Sequence, residues 1–349
     1  MKKITSLITV FGICLLIMAI GVYAVPKPAL AQKAASAAEA KKLTLSFWGL
    51  LAEPMGKALQ EYIAEVDERT KGKVKITIYP GGTLTPGPQA YEGVVAGLSD
   101  MAFVLYAYNP GRFPLTMGWS LPLPIASAKN GTRIFNESLE KFKPKEFADS
   151  KLMYFTSTTA AYPLTTKKPI RSIEDFKGLK IRTLGNMALY MKELGAVPIS
   201  MPIGQLYGAL DKGVVEATIN NTLTLDHFKF ADLIKYMLSW HWGPASAWGL
   251  HMNWNVWKSL PPDVQKVFEE ANQKYIWKQV EYQDAADKVG LELALSKGMK
   301  VIKQSEEMKR EMERRVQPVY DKYVADMEAK GLPGREFLDF LLKRVKELK

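Results

Sequence analysis

The sequence predicts an α/β fold with room for two lobes, and three observations lead there. Within residues 43–78 a strand-like alternation (Leu43, Leu45, Phe47) precedes a helical apolar stripe (Met55, Leu59, Tyr62, Ile63, Val66). A second alternation follows (Val74, Ile76, Ile78), which completes a βαβ unit. Short alternating runs and longer 3.6-period runs then take turns along the chain. A chain of 349 residues is also long enough to divide into two lobes with separate cores. At 47% apolar and 24% charged, it has the composition of a packed protein, not a disordered one.

The elements justify themselves in order. Met1-Lys2-Lys3 is a basic start, residues 4–25 are mostly apolar, and Ala29-Leu30-Ala31 offers a small-residue cleavage site. Residues 1–31 therefore read as a secretory signal peptide and 32–42 as a loose lead-in. The apolar run approaches the roughly 20 residues that span a bilayer, so an uncleaved anchor is the alternative. Cys14, the one cysteine, lies inside this leader, which leaves an exported chain without thiols or disulfides and suits an oxidising compartment.

Pro54 opens the first helix, and Lys71-Gly72 closes it. Gly81-Gly82-Thr83-Leu84-Thr85-Pro86-Gly87-Pro88 lacks the ending of a P-loop and reads as a connection. A helix over 89–97 and a strand over 101–105 come next. Tyr106 and Tyr108 follow the C-terminal end of that strand, the edge where open α/β sheets bind ligands; they either face a solute or pack under a loop. A helix over 132–142 and a strand over 152–156 complete the first half, and Tyr162 starts the second.

Leu179, Ile181 and Thr183 alternate, so Arg182 rides on a strand that breaks at Gly185 and gives way to a helix over 187–194. A guanidinium beside a glycine turn and a helix start is placed to hold an anion, since its planar fork grips both carboxylate oxygens and stays ionised. A strand over 198–201, a helix over 203–210 and a β-rich run over 214–219 deliver Asn220-Asn221, which read by themselves as a turn-forming pair. Trp240-His241-Trp242 is the densest aromatic cluster. Core packing accounts for most of the tryptophans, with one or two of Trp48, Trp240 and Trp242 lining a cleft. Alternation through Gly249, His251 and Asn253 marks a strand returning to the first half. A long helix from 261 toward 296, a strand over 299–302, a helix over 306–330 and a last one from 334 finish the chain.

The run Pro169-Ile170-Arg171-Ser172-Ile173-Glu174-Asp175-Phe176-Lys177-Gly178-Leu179-Lys180-Ile181-Arg182 resembles the TRAP-transporter solute-binding proteins, the DctP-like extracytoplasmic receptors. Ala209-Leu210, Gly213-Val214-Val215-Glu216 and Asn220 resemble the family's next block. Gly97-Leu98-Ser99-Asp100-Met101-Ala102, Pro110-Gly111-Arg112-Phe113-Pro114-Leu115 and Trp257-Lys258-Ser259-Leu260-Pro261 also fit it. The resemblance implies a two-lobe periplasmic-binding-protein-like fold with a hinge and a long lobe-spanning helix. Lobe I would combine 43–161 with 246–290, and lobe II 162–245 with 291–349, the crossings near 161 and 245 being hinge candidates.

It also implies that Arg182 anchors a solute carboxylate and that Asn220 completes the contact. Tyr106, Tyr108, Trp48, Tyr162, Trp240 and His241 are the further ligand-binding candidates. One branch of the family has an arginine near the position of Tyr162, and its loss here leans toward a monocarboxylate. A branch that binds 2-oxo acids through a metal has an acidic residue near Asn220; none lies within 219–225, so no metal and no cofactor is expected. The partners implied are the small and large TRAP membrane subunits, and the compartment is the periplasm.

Other functions lack their residues. The net charge of +11 falls to +8 without Lys2, Lys3 and Lys27, and the surplus is scattered through mixed-charge helices with no nucleic-acid stripe. Neither HExxH nor paired Cys/His spacing occurs, and Gly118-Trp119-Ser120-Leu121-Pro122 fails the nucleophile-elbow pattern at its last residue. The expectation is a non-enzymatic receptor that captures an organic acid. A membrane-anchored sensor ectodomain using the same cleft is the alternative.

Overall fold

The computed structural model describes residues 39–109, 111–125, 127–240 and 247–348. The leader and His241 lie outside them, as do the crossing near 245 and Trp242. The described chain builds two sheets, each dressed with helices, in a two-lobe α/β arrangement.

The first sheet begins with β1 (Lys41–Ser46), crosses through α1 (Pro54–Arg69) and returns in parallel as β2 (Val74–Tyr79), with Leu43 opposite Ile76. After α2 (Ala90–Val95), β3 (Met101–Leu105) pairs with the other side of β1. Helix α3 (Ala128–Phe142) leads to β4 (Lys151–Ser157). All five residues of β3 are buried, as a strand covered on both faces requires. Met101, Phe103 and Leu105 pack toward α1, whereas Ala102 and Val104 turn to the opposite core with Phe135 and Phe155.

The second sheet starts at β5 (Tyr162–Thr165) and continues with β6 (Lys180–Arg182), α4 (Met187–Glu193), β7 (Val197–Ile199), α5 (Ile203–Asp211) and β8 (Ala217–Asn220). A short α6 (Leu223–His227) and β9 (Tyr236–Ser239) follow. The chain then crosses back as β10 (Ala247–Met252), which slots antiparallel between β3 and β4 to give the order β2-β1-β3-β10-β4. Beyond α7 (Trp254–Ser259) and α8 (Pro262–Ser296), β11 (Lys300–Lys303) joins the second sheet in the order β11-β9-β5-β8-β6-β7. Helices α9 (Glu306–Glu328) and α10 (Gly334–Glu347) end the chain.

Helix α8 has 35 residues, hence a length of about 52 Å, and serves both sheets. Its first half packs on α1 and its second on α6. Gly290 permits the second contact, because a Cβ there would stand 2.1 Å from the Thr222 carbonyl oxygen. In between, buried Gln279 accepts from Thr156 at 3.0 Å and buried Gln283 donates to the Ser157 carbonyl at 3.3 Å. The C-terminal helices touch both lobes as well: α9 packs on α4, while α10 lies along α3 through Phe142–Phe337 and the Arg344–Glu137 ion pair. Among the described residues no helix is long and apolar enough to cross a membrane.

Candidate functional site

Strand ends from both sheets converge on one pocket with an empty volume of about 580 Å³, its mouth included. From the first sheet come Trp48 after β1, Leu105 at the end of β3, Tyr108 after it, and Trp248 on β10. From the second come Arg182, Thr183 and Leu184 at the end of β6, Asn220 and Asn221 at the end of β8, and Thr224 on α6. β1, β3, β6 and β8 contribute at their C-terminal ends, where the next segment turns away and leaves a crevice; Trp248 comes from the start of antiparallel β10.

Arg182 is 4% exposed. Its Nε and Nη2 both donate to the Met201 carbonyl oxygen, at 3.2 and 3.0 Å, and the Tyr108 hydroxyl lies beside the guanidinium. Among the described residues no carboxylate pairs with it, so burial pulls its pKa down and the tyrosine oxygen only partly compensates. Tyr108 is oriented by the Ile203 N–H, which donates to its hydroxyl at 3.1 Å, and burial raises the phenol's pKa. The Asn220 amide donates to Thr218 Oγ1 at 2.9 Å, while the Asn221 side-chain oxygen is buried without a partner among the described residues. Trp48 packs against Tyr108 and Trp248 as an aromatic wall, and its indole N–H is also without a partner there. Buried polar atoms are seldom left unmatched, so these two are open hydrogen-bonding positions among the described residues.

Opposite in sign stands Glu53, 1% exposed, on the residue that precedes α1. Its side chain does not cap the helix; Oε1 instead accepts from the Leu50 N–H at 2.8 Å. Burial pushes its pKa up to about 8 against the lowering effect of that N–H. The positive end of α1 favours the anion by roughly 0.3–1 kcal/mol, less than one pKa unit, and does not reverse the shift.

Four of the sequence-derived candidates thus meet here: Arg182, Asn220, Tyr108 and Trp48. Tyr106 does not reach the pocket. It is buried on the other face of the first sheet, stacked on Phe155, with its hydroxyl 2.8 Å from His251 Nε2. Trp240 is fully buried, stacks on Tyr190 and donates to the Ala161 carbonyl at 2.7 Å. Half-buried Tyr162 pairs with Asn220 across β5 and β8 but does not line the cavity. His241 lies outside the described residues.

Sequence reasoning missed Glu53, Trp248, Asn221, Thr224 and Phe228 as lining residues. The one signal for Glu53 was an acid directly before a helix-opening proline, a pattern that ordinarily marks nothing more than a helix start. Among the described residues no three His, Cys, Asp or Glu side chains converge as metal ligands.

The DctP family, described as bacterial extracellular solute-binding protein, family 7, matches residues 51–326. A monocarboxylate 2-oxoacid-binding periplasmic protein of Nostoc sp. is 29% identical over 252 residues, covering 70% of this chain and 68% of the relative. A TRAP periplasmic solute-binding protein of Desulfovibrio salexigens, solved as an open complex, is 28% identical with a TM-score of 0.77. That match spans 88% of this chain and 96% of the other. A TRAP periplasmic solute-binding protein of Bordetella bronchiseptica, solved with mandelate, superposes with a TM-score of 0.81 at 24% identity over 88% of this chain and 99% of the other.

Proposed function

The chain belongs to bacterial extracellular solute-binding protein family 7, the DctP family, and on that premise we propose that it captures a monocarboxylate for a TRAP transporter. The solute carboxylate docks on Arg182, Asn220 completes its hydrogen bonding, and Trp48, Tyr108 and Trp248 cover the organic body. One observation carries this reading: a guanidinium that is buried between the two sheets without an acidic partner among the described residues. An unmatched buried charge is costly, and an incoming carboxylate supplies the missing counter-charge together with hydrogen-bond acceptors. Two lobes swinging together about the crossing near 161 would then desolvate the pair, as in other hinge-closing receptors. The Nostoc relative's description as a monocarboxylate 2-oxoacid-binding protein supports the solute class. The chain works outside the cytoplasm after losing residues 1–31, and delivers its cargo to integral membrane subunits.

A thermal-shift screen across monocarboxylates, dicarboxylates, sugars and amines tests the reading, because a ligand that binds only the folded state raises its melting point. At least one monocarboxylate is expected to stabilise the protein more than its dicarboxylate counterpart does. Stabilisation by neutral or cationic solutes alone would remove the proposed role of Arg182.

A further inference from the structure

Glu53 has no role in the carboxylate contact just described, yet it is built into the wall of the same pocket. Gly49 makes the room: a Cβ there would stand 1.8 Å from Glu53 Oε1, so only glycine lets the carboxyl lie over this turn. The Leu50 N–H fixes Oε1, and among the described residues Oε2 receives no hydrogen bond. No basic group lies within ion-pair distance of Glu53 among the described residues, Arg182 included. Among the described residues the pocket's titratable lining consists of Glu53, Tyr108 and Arg182.

Charge balance decides what such a group does. Arg182 and a bound carboxylate cancel, so an ionised Glu53 would leave one negative charge buried against Trp48, Met55 and Leu105. A neutral carboxylic acid leaves none, and it carries an O–H donor. Resting on the organic-acid reading above, we propose that Glu53 is a specificity-determining residue that stays protonated in the loaded pocket. Its O–H donates to a second oxygen, hydroxyl or keto, on an acid whose carboxylate sits on Arg182. The solutes selected are then oxygenated monocarboxylates, in preference to plain ones. The raised pKa agrees: burial already holds the acid largely neutral at pH 7 before any solute arrives.

The probes are trios that share a skeleton and differ in one group: lactate, propionate and alanine; mandelate, phenylacetate and phenylglycine; 3-hydroxybenzoate, benzoate and 3-aminobenzoate. Calorimetry is run on the whole exported protein and on Glu53→Gln, Glu53→Leu and Arg182→Met, each first checked for cooperative unfolding. In at least one trio the hydroxy acid binds about tenfold more tightly than the plain acid at pH 7. Glu53→Leu erases that preference, and Glu53→Gln, whose amide N–H replaces the O–H, restores part of it. Wild-type affinity for the hydroxy acid falls about tenfold from pH 7 to 9, with proton uptake on binding at the upper pH, and in Glu53→Gln it does not.

Equal binding of hydroxy and plain acids that Arg182→Met blocks and the Glu53 variants leave alone overturns this inference and spares the carboxylate reading. A preference for alanine or phenylglycine, whose amino groups are ammonium at pH 7, that Glu53→Gln abolishes also overturns it, making Glu53 an anionic partner for an ammonium group. Flat affinity across the pH range has the same effect. If no acid binds at millimolar concentration, the carboxylate reading falls and this inference with it.

Discussion

Replacing Arg182 with methionine separates a binding role from a structural one, because the two predict opposite signs in the unliganded protein. Arg182→Met keeps an unbranched apolar stem and removes the guanidinium with its charge. In the loaded state it deletes a desolvated charge pair, a loss of about 2–5 kcal/mol, which is roughly 30- to 5,000-fold in affinity. Without solute the balance differs. The two bonds to the Met201 carbonyl disappear, which costs about 1–3 kcal/mol, while a buried cation with no acidic partner among the described residues disappears as well. Effective desolvation penalties run to several kcal/mol per ion, so the second effect offsets or exceeds the first. The expected result is a urea midpoint that is unchanged or higher, together with calorimetric binding of the best acid from the screen reduced at least 30-fold, the low end of that range. A variant that unfolds at clearly lower urea yet still binds would refute the reasoning and make Arg182 a strut for the 201 turn.

The remaining predictions concern its surroundings. Asn220→Ala removes a neutral amide and should cost about 1–2 kcal/mol of affinity by calorimetry; a loss larger than that of Arg182→Met would exchange their roles. His251, buried between Tyr106 and Ser150, has its pKa pushed down to about 3, so the unfolded chain binds its proton first. Its contribution is fully present above the unfolded value near 6.5 and is lost toward pH 3, at up to about 1.4 kcal/mol per pH unit. Urea unfolding of His251→Gln from pH 7 to 4 should show a shallower acid decline than wild type, and parallel declines would refute this. Gly49→Ala drives a methyl into Glu53 Oε1 and the Phe47 ring, so it should destabilise by about 1–3 kcal/mol in the same assay; a neutral outcome would mean the turn has slack.

Much of the fold was legible because burial writes itself into periodicity. The alternation of Leu179, Ile181 and Thr183 put Arg182 on a strand, and β6 carries it to the pocket. The βαβ unit was readable for the same reason. The short α6, α7 and β9 were not: α2 and β11 are no longer, but in those three segments the few residues showed no period that set them apart from the connections around them.

Within the site, Tyr106 and Tyr108 show where pattern reading stops. Two residues apart on a strand, they would share a face, but the chain turns into a 3₁₀ helix over Tyr106–Tyr108 and points them apart. The first continues the Ala102–Val104 face into the core, and the second reaches Arg182. Trp240 was indistinguishable from a cleft residue by type alone; a carbonyl at Ala161, far away in sequence, holds its indole inside. Glu53 could not be read at all, because its burial depends on a turn, a glycine and a strand end that meet only in the folded chain.

Helix α8 gives these observations a mechanical consequence. Gln279 and Gln283 pin its middle to the end of β4, and Gly290 seats its far half on Thr222 with no clearance. Leu223 and Thr224, which open α6 directly after Thr222, are pocket wall. If the proposed closure draws that wall inward around a cargo, the rod would act as a lever about this pin and tilt its other arm beside α1. Filling a small interior space would then reposition the outer helical face that α8 and α1 share, where Tyr62 of α1 donates to Asn272 of α8.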